Sequence, residues 1–170
     1  MKKDLVLDSR EKVLGQLMAV YKREEALSLE QLAELEEQLS PDEAKICADT
    51  LAVLRTRSLF TANKIVQAYH ILVDGLRRNP LSLSLQHERS TFLNSCAGLL
   101  ADIMHQDPLN PSIEMIYEIL RKESAVSVSH QVEYLKFLIG HGRFAEAARL
   151  AVPLVAISPF LLSLREQVEK

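Results

Sequence analysis

With only six prolines and five glycines in 170 residues, the chain is short of the residues that interrupt regular structure, a balance that favours helix over strand or disorder. Cysteine is equally scarce. Cys47 and Cys96 stand far apart inside helical patterns with no metal-ligand spacing around them, and they read as reduced core thiols of a cytoplasmic protein rather than as a disulfide. The glycines, Gly15, Gly75, Gly98, Gly140 and Gly142, never gather between a strand and a helix, so no phosphate-binding loop can be assembled. There is no basic excess either: the net charge is -3 and the pI about 6.0, which gives no general attraction to a phosphate backbone and removes nucleic acid from the expected partners. Long apolar runs are missing. After Met1-Lys2-Lys3 only Leu5-Val6-Leu7 precede Asp8, too little for a secretory signal. Leu150 to Leu164 is interrupted by Pro153, Ser158 and Pro159 and falls short of the roughly 20 apolar residues of a spanning helix. No membrane insertion is expected.

What is present is helical periodicity. A hydrophobic content of 48% over this length suits one ordinary domain that needs no staple. Asp8-Ser9-Arg10-Glu11 and Ser28-Leu29-Glu30-Gln31 both have the form of an N-cap answered by an acid or amide three residues on, and Val13, Leu17 and Tyr21 follow the first on one face. Whether these form two helices or one kinked helix is left open by the pattern. Ser40-Pro41-Asp42-Glu43 joins an N-cap serine, proline at the first helical position and a reciprocal glutamate, the firmest boundary in the chain. The spacing predicts a helix from there to about Leu54 and another from about Leu59 to Arg78, stopped by Asn79-Pro80. Leu81 to Leu85 alternates like a strand, but a lone strand leaves its backbone groups unpaired, so the segment reads as a loop entering a helix. That helix carries Phe92, Cys96, Leu100 and Met104 and ends near His105; shorter helices follow around Ile113 to Leu120, Val132 to Ile139 and Phe144 to Leu154, the last bent by Pro153.

The whole reads as a single all-α domain: a helical segment over 1–39, three helical hairpins over 40–157 (paired at about 41–78, 83–122 and 127–157), and a terminal helix over 158–170. Hairpins recurring every forty-odd residues predict a small α-solenoid in which each pair buries its face on its neighbours. The same pattern accommodates a compact helical bundle.

The segment from Gln131 to Pro159 resembles a tetratricopeptide repeat through Gly142, Phe144, Ala147 and Pro159, which match its turn, second-helix and exit positions. On the first helix the chain departs from that family, with Gln131, Tyr134-Leu135 and Leu138 where the family favours a large aromatic, a leucine-glycine pair and a tyrosine. Ala68 and Pro80 repeat the Ala147 to Pro159 spacing without the glycine. The resemblance covers about one repeat. It implies a scaffold that binds proteins or peptides along the first helix of each pair, which here places Val132, Lys136 and Ile139 on the binding face. Read without the resemblance, Val132 and Ile139 are core residues and Lys136 is a solvated lysine.

Motifs that carry chemistry are few. Asp102-Ile103-Met104-His105 sets a carboxylate and an imidazole one turn apart, as in di-metal bundles, but such a site needs a second copy and the sequence has none; a histidine at a helix C-terminus, favoured by the dipole, is the plainer reading. No nucleophile elbow or metalloprotease helix occurs. Neither a cofactor nor a metal is expected, and the chain reads as a non-enzyme. Arg55, Arg57, Arg77 and Arg78 look clustered, but Arg55 and Arg57 are expected at the turn of an antiparallel pair and Arg77 and Arg78 at its opposite end, which leaves them to meet arginines or acids of neighbouring hairpins. The acids from Glu24 to Glu43 read as a solvated face. Phe160, Leu161, Leu162 and Leu164 sit on a last helix with no following hairpin to cover it, and Phe160, Leu161 and Leu164 are the second candidate partner surface. The sequence therefore leads to an interaction module, an adaptor, chaperone or regulatory subunit whose partner is an unidentified protein or peptide. The alternatives are a self-associating structural protein that forms a homodimer and, behind both, an enzyme or metal protein without a linear motif.

Overall fold

The computed structural model describes residues 13–157, which are all-α, with no strand among the described residues. Helix α1 covers residues 13–22, and α2 Leu29–Glu37, α3 Pro41–Ile46, α4 Ala48–Thr61, α5 Ile65–Arg78, α6 Leu83–Gln106, α7 Ser112–Lys122, α8 Val128–Gly140 and α9 Phe144–Ile157 follow. The chain divides into two compact units, Met1–Thr91 and Phe92–Lys170, and α6 contributes residues to both. The cap at Asp8 to Glu11 and the helix expected over 158–170 lie outside the described residues.

In the first unit the capping boxes read from sequence are in place. Ser28 and Gln31 exchange side-chain and backbone hydrogen bonds of 3.0 and 3.1 Å, and Ser40 does the same with Glu43 beside Pro41, so orphan amides at both helix starts are satisfied. The segment after Ser40 is not one helix: it pauses at Cys47, which ends α3 and precedes α4. Helix α4 then runs on to Thr61, seven residues past the expected stop at Leu54, because the turn sits at Ala62 to Lys64.

Helix α4 is the axis of this unit. Leu51, Ala52, Val53, Leu54, Thr56 and Ser58 are all buried, four of them consecutive, so more than one face of the helix is covered. Val13, Leu17 and Leu32 meet Leu51 and Leu54 in one core cluster, each such side chain worth about 1.5–3 kcal/mol of burial. The Thr56 hydroxyl donates to the Ala52 carbonyl at 2.8 Å. Helix α5 returns along α4 with Ile65, Ala68, Leu72 and Gly75 inward. Gly75 is needed for close approach: a Cβ there would stand 3.2 Å from a Leu85 methyl and 3.5 Å from the Ala52 Cβ.

In the second unit Phe92, Cys96, Leu100 and Met104 of α6 are buried at four-residue spacing, as one inward stripe requires. Helix α7 buries Ile113, Ile116, Tyr117, Ile119 and Leu120. It runs antiparallel to α8, since Glu114 reaches Arg143 beyond the end of α8 while Tyr117 meets Tyr134 near its middle. Helices α8 and α9 pack as a hairpin around Gly142, whose φ of 69° favours glycine, and Ala147, Ala151 and Leu154 face inward from α9. Pro153 lies within α9.

Candidate functional site

Helix α8 carries polar chemistry on two sides. Its start is a capping box of unusual composition: Ser127 accepts from the His130 amide through Oγ, and the Ser127 amide donates to His130 Nδ1, both at 3.3 Å. An Nδ1 that accepts carries no proton, so the ring proton is on Nε2, which remains as a donor. Ser129, Glu133 and Lys136 follow on the same side at helical spacing, with Lys136 Nζ donating to Glu133 at 2.6 Å. Facing them are Ala101, Met104 and His105 in the last turns of α6, and the two rows enclose a cleft of about 470 Å³.

The other side is closed by aromatic stacking. The Tyr117 and Tyr134 rings are stacked, with centroids 3.8 Å apart and planes 13° apart; Phe137 follows Tyr134 at 5.6 Å and His141 follows Phe137 at 4.2 Å. Arg143 straddles the end of this ladder, donating to Glu114 at 2.8 Å and to both oxygens of Glu146 at 2.7 and 2.8 Å. Those hydrogen bonds hold the guanidinium above its ordinary range and the Glu146 carboxyl below its own. Burial pushes the Tyr134 phenol up to about 12, the Glu114 charge adding to it, and raises Tyr117 as well. Glu118 grips Arg121 through two nitrogens and raises it. A second hollow of about 470 Å³ opens beside Tyr117, Tyr134, Leu138 and Arg149. Its charges are largely paired with one another, which marks this side as a lock between α7, α8 and α9 more than as a receptor.

Of the residues named from sequence, Lys136 is exposed on the wall of the first cleft. Val132 and Ile139 are half-buried on α8. Phe160, Leu161 and Leu164 lie outside the described residues. Asp102 and His105 are both exposed near the end of α6, and no three His, Cys, Asp or Glu side chains among the described residues gather to hold a metal ion. Cys96 is buried and its thiol is pushed up to about 12 by burial, leaving no thiolate for nucleophilic work at neutral pH. Arg55 pairs with Glu36, Arg57 with Glu88 and Arg77 with Asp74; because the turn sits at Ala62 to Lys64, Arg55 lies near the middle of α4 and not at the end of the pair.

The sequence pattern places this helix around Val132 to Ile139 and singles out neither Ser129 nor His130, which line the cleft. The signal was present, since Ser127 stands three residues before His130, but histidine is not among the usual partners of a capping box. No helix among the described residues is long and apolar enough to cross a membrane. Fold and site together define an all-α protein with an open, polar-walled cleft between two helices. No protein-family model matches the chain, and no curated protein or solved structure matches it.

Proposed function

We propose that the protein is a non-catalytic interaction module of the cytoplasm that binds a protein or peptide in the α6–α8 cleft, as an adaptor, chaperone or regulatory subunit does. The observation that carries this reading is the cleft itself, with Lys136, His130 and Ser129 on one wall and His105 and Met104 on the other. Helices α6 and α8 alternate in chain order with α7 and α9, the order that first and second helices take in tetratricopeptide-type hairpins, whose first helices are the ones presented to a partner. The likeness at Gly142, Phe144 and Ala147 supports the same side. A photo-crosslinking residue at Ser129 tests it. A discrete protein adduct from Ser129, absent from the same probe at exposed Gln67 on α5, is the expected result; equal labelling from both positions, or none from Ser129, overturns it.

A second reading is self-association. Ile46, Leu81 and Leu83 are almost fully exposed, and the hydrogen bond from Asn79 to Asp49 at 2.7 Å draws together the chain segments next to them. Sedimentation of a dimer that Leu81→Ser with Leu83→Ser converts to monomer would favour this reading over the first.

A further inference from the structure

Resting on that reading of the cleft, we infer that its ligand is an acidic peptide segment, with a carboxylate held by Lys136, His130 and His105 and a neighbouring apolar side chain laid on Met104 and Ala101. The argument is an inventory of donors and acceptors. Lys136 has three N–H groups and spends one on Glu133, leaving two. His130 gives Nδ1 to the Ser127 amide, so what it has left for a ligand is the Nε2 donor. His105, in the last turn of α6, adds an imidazole from the opposite wall. The Ser129 hydroxyl already shares a hydrogen bond of 2.8 Å with that of Ser127. Against these donors the cleft wall offers one carboxylate, Glu133, engaged by Lys136.

A partner that brings donors meets one carboxylate already in an ion pair with Lys136, whereas one that brings carboxylate oxygens is met by Lys136 and His130 of α8 and by His105 of α6. The apolar floor adds a second requirement. Met104 is buried at the cleft, and methionine as a residue adapts to aliphatic neighbours. Acid beside apolar is therefore the pattern that fits, and a lysine-rich segment is the one the walls reject.

The test uses the full chain and a fluorescein-labelled decapeptide alternating Glu and Leu, with Gln-Leu and Lys-Leu decapeptides as comparisons, read by fluorescence anisotropy. The acidic peptide is expected to bind at least about fivefold more tightly than the glutamine one, the lysine peptide not at all, and added salt to weaken the preference. Lys136→Glu is expected to cost about tenfold in affinity. His130→Glu is the more discriminating variant, because glutamate at that position keeps the capping box while replacing a donor by an acid; unchanged helical circular dichroism with lost binding is expected. Equal affinity for the acidic and glutamine peptides, or undiminished binding by a folded His130→Glu protein, overturns the inference. So does full displacement by inorganic phosphate, which would mark a small-anion site, or a concentration-dependent dimer that excludes the peptide, which would mark a second copy of this chain as the occupant. Ser129 adducts that persist without acid preference sink this inference alone, while their absence sinks the reading beneath it.

Discussion

Glu88 lies on the buried stripe of α6 between Leu85 and Phe92, and Arg57 of α4 meets it there with Nε and Nη2 at 2.9 and 2.8 Å from the same carboxylate oxygen. Both side chains are withdrawn from water, at 12% and 4% exposure, so this pair differs in kind from the surface pairs on α5 and α7. Arg57 also donates to the Tyr21 carbonyl at 3.3 Å and stands 5.7 Å from the centre of the Tyr21 ring, tying the end of α1 to the same point. Removing one partner strands the other charge in an apolar setting. Glu88→Gln is expected to cost about 3–5 kcal/mol in urea denaturation. The double change Arg57→Met with Glu88→Leu, which continues the apolar stripe, is expected to recover most of that loss. A single variant as stable as the parent would show that the pair is solvated after all.

Four helices end in the same way. At Glu24, Asn63, Ser124 and Gly142 the backbone turns left-handed, with φ of 57°, 58°, 53° and 69°. The following amide in each case reaches back five residues, as from Lys64 to Leu59 at 2.8 Å and from Ala125 to Leu120 at 2.8 Å. This is the Schellman closure, in which glycine is the usual residue because a Cβ makes the left-handed region costly by about 1–2 kcal/mol. Ser124→Gly removes that cost and adds some unfolded-state entropy, for a net gain of about 0.5–1 kcal/mol. A lower melting temperature for Ser124→Gly would mean the serine side chain holds the turn.

That shared turn also explains which boundaries were legible. Gly140-His141-Gly142 announced the end of α8, and Ser40-Pro41 the start of α3, because each uses the residue its geometry prefers. Asn63 performs the same turn without glycine, so nothing in the sequence marks the end of α4 at Thr61, seven residues beyond Leu54. The all-α class survived this slip, since it rests on the repeat of apolar residues along whole helices. The site was less legible. Lys136 could be singled out on α8, but the cleft it shares with His105 joins residues 31 positions apart, and single-helix periodicity says nothing of which faces will oppose each other. The Tyr117–Tyr134 stack was hidden for the same reason: both rings look like ordinary core residues in their own helices.

Ala147 is fully buried in the α8–α9 hairpin, where a small side chain lets the two helices approach. Ala145, two positions earlier on the same helix, is exposed. Ala147→Leu forces extra methyl groups into a filled contact and is expected to destabilise by about 1–3 kcal/mol, while Ala145→Leu is expected to stay within about 0.5 kcal/mol of the parent. Thermal unfolding of the two variants side by side separates crowding from any general effect of leucine. An unchanged melting temperature for Ala147→Leu would contradict the close approach.

Tyr134 makes alkaline pH a probe of the second unit. Its ring is held against Tyr117, and burial raises the phenol to about 12, the Glu114 charge adding and Arg143 opposing. A tyrosine in the unfolded chain ionises at about 10. The folded value is the higher one, so the native state binds this proton more tightly and its stabilising contribution is complete below about pH 10. Above that the unfolded chain releases the proton first, and the contribution drains away as pH rises through about 12. Denaturation at about pH 8 and about pH 11 should therefore show a loss of stability that is smaller in Tyr134→Phe, which has no proton to release there. The phenylalanine variant forfeits only a long contact of 3.5 Å to Glu114, too weak to mask the difference. Equal losses in the two proteins would place the Tyr134 hydroxyl in water and undo the stacked, closed character assigned to this side of α8.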